Sequence, residues 1–126
     1  LRVTSWIKNC MSENYETLLV KTETFEPFVL CLALGTLEAI KSEIWSTEAG
    51  IWTIGRPNFL DELEKLNVSE ETLNILVEFD ELNALEEFVS KEDFSEKLLK
   101  IEQNIKKQLE NFSENYWSAK WLNENS

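Results

Sequence analysis

The sequence predicts an all-α fold, a single-domain antiparallel bundle of five or six helices, and three observations carry that reading. Apolar residues recur at spacings of three and four along most of the chain, the period of a helix that buries one face. Only three glycines and two prolines occur in 126 residues, too few for a sandwich or barrel with a turn every 8–12 positions or so. The apolar fraction of 43% and the five tryptophans argue for a packed core rather than disorder. A chain of this length buries about two thirds of its unfolded surface in one core, so residues 1–126 are read as one domain.

Residues 1–23 are weakly defined, and "YETLLVK" within them reads as a strand or a short helix. The first clear helix begins near Glu26, with Pro27 in its first turn where a missing N–H costs little. It is expected to run through "FVLCLALGTLEAIKSEIW", with Val29, Leu30, Ala33, Leu34, Leu37, Ile40 and Ile44 in a wide apolar arc. Gly35 costs that helix about 1 kcal/mol against alanine, so it either marks a close helix–helix approach or is incidental. Ser46 or Thr47 caps a short turn with Glu48 near its positive end. "AGIWTIGRPNF" interrupts the pattern, and Pro57 opens "PNFLDELEKL", with Phe59, Leu60 and Leu63 inward and Asn67 as the stop.

Ser69 caps the next helix, with Glu70 and Glu71 in its first turn. Its apolar residues fall on two arcs, Leu73, Leu76, Val77 and Ala84 on one, Ile75, Phe79, Leu82 and Leu85 on the other. One helix is not expected to bury both, which predicts a break near Phe79 to Asp80. The last long helix is assigned a capping box of Asp93 and Glu96, followed by the seam Phe94, Leu98, Ile101, Ile105 and Phe112. The tail "NYWSAKWLNENS" places Trp117 and Trp121 four apart, which suggests a final helical turn docked by its aromatics.

The charge is segregated. Residues 61–96 carry thirteen acids against Lys65 and Lys91, a net of −11 out of −12 for the whole chain. A field of this sign repels nucleic acid and anionic membrane and accelerates encounter with a cationic partner. Acidic helical faces ordinarily serve solubility; gathering nearly all of the imbalance in one segment raises a binding role beside that one. Glu70 and Glu71 are explained by a helix start. Glu78, Asp80, Glu81, Glu86 and Glu87 are not, and they form the predicted partner-binding cluster. Trp52, in a glycine-containing loop, is the predicted apolar anchor, because tryptophan is enriched at interface hot spots. Arg56 is its polar companion.

The available chemistry is narrow. Histidine is absent, which removes the usual general base and the His-containing zinc sites. "GRPNF" lacks the spacing and the lysine of a phosphate loop. "EFDELNALEE" lacks the glycine and alternating ligands of a calcium loop. No catalytic residue, metal or cofactor is assigned, and a non-enzymatic protein is expected. Cys10 and Cys31 do not have metal or redox spacing; Cys31 is expected to act as a small hydrophobe in the most apolar stretch. No apolar run reaches the 18–20 residues or so that a membrane span requires. "LRVTSWIKNC" is too short and polar for a signal peptide, and Met11 follows it as an alternative start. The expected location is cytoplasmic.

From Phe28 to Leu109 the order of "LALGTLEAI", "STEAG", "FLDELEKLNVSEETLNIL" and "DELNALEEF" resembles small, mostly helical bacterial immunity proteins associated with polymorphic and contact-dependent toxins. The resemblance departs at "GIWTIGRPN" and has no counterpart for the terminal aromatic segments. It implies a protein that binds and neutralises a cationic toxin domain, a nuclease in the leading expectation, without touching nucleic acid or membrane itself. The alternative is an acidic regulatory adaptor, or nucleic-acid mimic, that occupies a DNA-binding protein. An acid-rich metal protein is a third class, which tight calcium or manganese binding would reveal.

Overall fold

The computed structural model describes residues 16–55, 57–112 and 119–122. The chain enters through strand β1 (Thr17–Val20) and a 3-10 turn over Thr22–Thr24. Helix α1 (Phe25–Lys41) follows, then the one-turn helix α2 (Thr47–Gly50) and a π-helical segment, Ile51–Gly55. Helices α3 (Pro57–Lys65), α4 (Glu70–Phe88) and α5 (Lys91–Leu109) complete the helical body, and strand β2 (Ala119–Leu122) pairs antiparallel with β1.

The molecule is mostly helical, as expected, but the five- or six-helix bundle is not what forms. Among the described residues, four helices exceed one turn, and a two-stranded ribbon joins the two ends of the described chain. Three local differences account for this. Helix α1 stops at Lys41 because Glu43 takes a left-handed backbone, φ 58°, so Ile44 leaves the helix and is exposed. Trp121 lies in β2 opposite Leu18, because a distant strand partner overrides the helical spacing of the tail. Trp117 lies outside the described residues, as do Cys10 and Arg56. Helix α4, in turn, runs unbroken past Phe79.

That continuity has a packing reason. Helix α4 is flanked by the π segment, α3 and α5, with α1 and α2 also in contact. Thr72, Ile75, Leu76, Phe79 and Leu82 are all buried among these neighbours, while Val77 and Ala84 are left to solvent. One arc is thus buried through Leu82, with Leu85 half-buried, and the other only at Leu76 and, half-buried, Leu73. The core joins this face to Val29, Leu30, Ala33, Leu37 and Ile40 of α1, Ile54, Leu63, Val68, and Leu98, Ile101 and Ile105 of α5. The α5 seam is as read from sequence, with Phe94 and Phe112 half-buried at its two ends.

Glycine supplies the close approaches, though not at the position expected. A Cβ on Gly35 would meet nothing within 4 Å, so its place in α1 is incidental. A Cβ on Gly55 would lie 2.8 Å from Phe79 Cβ and 3.0 Å from the Asp80 backbone nitrogen. The π segment therefore rests directly on α4, at the point where a break was expected. Cys31 is exposed rather than buried, because the core arc of α1 passes through Leu30 and Ala33 on the other side.

The caps are mostly those the sequence indicates. Ser46 Oγ accepts the Ala49 N–H at 3.1 Å, and Ser69 Oγ accepts the Thr72 N–H at 3.4 Å. Asn67 ends the turn after α3 in a left-handed conformation, φ 62°. The cap of α5 is corrected from Asp93 to Ser90, whose Oγ accepts the Asp93 N–H at 3.1 Å. Asp93 is instead a first-turn acid at the positive end of the helix.

Candidate functional site

Helix α4 carries seven acids, Glu70, Glu71, Glu78, Asp80, Glu81, Glu86 and Glu87, and no base. Among the described residues only Glu78 of the seven has a cationic partner, Lys97 of α5 at 3.0 Å. Its other oxygen, Oε2, is buried without a hydrogen-bond donor there. Asp80, Glu81, Glu86 and Glu87 are exposed.

A helix turns about 100° per residue, so acids close in sequence need not be close in space. Glu78 and Glu81 are three apart and share a side. Asp80 and Glu87, seven apart, share a different one, about half a turn round from Glu78. Glu86 belongs to neither pair. The grooves of the molecule follow this division. Glu78 and Glu81 line one of about 390 Å³, with Ala84, Leu85, Phe88 and Lys97. Glu86 lines a larger one of about 580 Å³ between the ends of α1, α4 and α5, with Trp45 and Phe94 on its walls and Glu43, Lys41 and Lys91 around it.

Trp52 is 62% exposed on the π segment. It lines neither groove, and it sits three residues before Gly55, which touches the backbone of Asp80. Phe88, which sequence reasoning passed over, is 82% exposed at the last turn of α4. Its signal was available: as a helix-terminal aromatic it falls outside the arc of Ile75, Phe79 and Leu82.

A second polar cluster escaped the sequence reading altogether. The Glu26 carboxylate accepts the Ser69 N–H at 3.0 Å, the Ser69 hydroxyl at 2.6 Å and the Thr72 hydroxyl at 2.5 Å. Gln108 Nε2 donates to Ser69 Oγ at 3.3 Å. The first turn of α1, the cap of α4 and the last turn of α5 are tied at one place. Burial pushes the Glu26 carboxyl up, but the donors from Ser69, Thr72 and Gln108 outweigh it and hold the group below the usual carboxylate range. Glu102 forms a similar tie nearer the surface, to Lys41 at 2.5 Å and Lys106 at 2.9 Å. The Lys41 hydrogen bond, then that of Lys106, keeps Glu102 low, and Glu102 in turn raises Lys41.

No group of three or more His, Cys, Asp or Glu that could hold a metal ion is found among the described residues, and no helix there is long and apolar enough to cross a membrane. The sequence profile of one family, described as a protein of unknown function (DUF3969), matches residues 20–123. The chain belongs to the DUF3969 family. The DUF3969 match runs from the last residue of β1 to just past β2, so it takes in the helical body and the ribbon that closes it. No curated protein and no solved structure matches the chain.

Proposed function

We propose that this protein is a cytoplasmic immunity protein that binds and neutralises a cationic toxin domain, a nuclease, through the exposed side of α4. The observation that carries the reading is the charge of that helix: seven acids, no base, and one paired carboxylate among the described residues. A fold that needed those acids for its own stability would pair them, as it pairs Glu102 with two lysines. Left unpaired, they supply a field that speeds encounter with a basic surface and selects against acidic ones. Exposed charges add little affinity by themselves; tight binding needs apolar anchors, and Trp52 on the π segment and Phe88 at the last turn of α4 are both exposed.

The test is co-expression with the basic domain encoded by the neighbouring gene. A stoichiometric complex is expected, with an association rate that falls as salt is raised. Replacing Glu78, Glu81, Glu86 and Glu87 together by glutamine should slow association and flatten its salt dependence. Unchanged binding and an unchanged salt slope in that variant would overturn the proposal.

A further inference from the structure

Phe88 is the most exposed of the large apolar side chains among the described residues. It is nevertheless held on a rigid support, since it ends α4 and only Val89 and Ser90 separate it from α5. Glu81, Ala84, Leu85 and Phe88 succeed one another at helical spacing and so form one strip along α4. The strip is the floor of the groove of about 390 Å³, and Glu78 and Lys97 close its other rim. That volume suits one or two side chains rather than a folded ligand. Lys97, the one cation on the rim, is already engaged by Glu78 Oε1 at 3.0 Å. The other oxygen of Glu78 is buried, so the exposed carboxylate of Glu81 is the acceptor that remains open to a partner.

We infer that this groove receives an amphipathic basic segment of the partner, with one lysine or arginine directed to Glu81 and an adjacent apolar side chain against Leu85 and Phe88. The inference rests on the reading of the chain as a binder of a cationic domain, and it adds where the anchor sits and what chemistry the anchor has. Charge complementarity chooses the occupant. An anionic segment meets two carboxylates, and a purely hydrophilic cation makes no use of the Phe88 face. The guanidinium of an arginine suits the site twice, since it stacks on an aromatic ring and donates in a fork to a carboxylate. The larger groove at Trp45 makes no comparable choice, because its rim carries Lys41 and Lys91 as well as Glu43 and Glu86.

The experiment uses the full chain and two labelled synthetic probes in fluorescence anisotropy. One is a helical peptide of lysine and leucine at amphipathic spacing; the other is an oligolysine of equal charge. The amphipathic peptide should bind the wild type more tightly than oligolysine. It should lose at least about tenfold in affinity on Phe88→Ala and on Glu81→Gln. The same charge change at the far end of the helix, Glu71→Gln, should have little effect. Phe88 and Glu81 are exposed, so neither variant is expected to disturb folding. If Phe88→Ala and Glu81→Gln bind both probes as the wild type does, and salt still weakens binding, the groove inference is overturned while the acidic-surface reading stands. If neither probe binds the wild type, both fail.

Discussion

Glu26 receives its donors from Ser69 and Thr72, at the start of a helix 43 to 46 residues further along the chain, so a negative charge from α1 does part of the capping of α4. Helix N-termini favour an anion at that place, and hydrogen bonds to a charged group contribute about 1.5–3 kcal/mol. The folded state holds Glu26 below its ordinary value of 4.5. The unfolded chain therefore takes up that proton first as pH falls. Stability from this group is complete above 4.5 and is lost as pH drops through the lower folded value. Glu26→Gln should cost about 1.5–3 kcal/mol at neutral pH by urea unfolding, and its gap from the wild type should narrow in acid. A gap that stays constant down to pH 3 or so would show that the charge is not what the cluster uses. Nothing local marks Glu26 in the sequence beyond an acid beside Pro27; its partners become visible only when α1 and α4 are packed. Phe88 and Cys31 teach the converse lesson, since apolar character alone did not place either side chain.

At the scale of elements, legibility followed the range of the interactions. The α5 seam, the Ser46 and Ser69 caps and the start of α3 at Pro57 are specified within a few residues, and each was readable. The expected break in α4 was not found, because the unbroken helix does not bury both arcs: Ile75, Phe79 and Leu82 pack while Val77 and Ala84 stay in solvent. The acidic cluster was readable as composition, but helical rotation divides it into Glu78 with Glu81, Asp80 with Glu87, and Glu86 alone. Two of the three glycines, Gly55 and Gly35, offer a direct test of the packing. Gly55→Ala forces a Cβ to 2.8 Å from Phe79 Cβ and 3.0 Å from Asp80 N and should destabilise by about 1–3 kcal/mol. Gly35→Ala meets nothing within 4 Å and should stabilise by about 0.5–1 kcal/mol through helix propensity. Denaturant midpoints of the two variants should move in opposite directions; a shared direction would mean that the π segment does not press on α4 as described.

For the whole molecule the governing quantity is a net charge of −12 on 126 residues. Self-repulsion of that size opposes the compact state, and added salt screens it. Raising sodium chloride from near zero to 0.15 M or so should therefore increase stability by about 1 kcal/mol, roughly 3–6 °C in Tm. A Tm that falls with salt would mean that the attractive pairs, Lys41–Glu102 and Lys97–Glu78 among them, outweigh the repulsion. On the proposed function the same salt dependence runs the other way for association with a basic partner, so one additive should firm the free protein and slow its capture of that partner. At this scale the sequence announced the charge plainly and allowed a strand in "YETLLVK", where β1 forms, but it concealed the pairing with β2 at the other end of the described chain.

That ribbon has a mechanical meaning. Thr17 pairs with Leu122 and Val20 with Ala119, so the pair nearest the chain ends is the outermost rung. Tension applied to the two ends loads that rung first and opens the strands one pair at a time, as a zipper opens, instead of shearing all the rungs together. The helical body bears load only after the last rung, Val20 with Ala119, has parted. A protein pulled by its ends would thus yield softly and then hold.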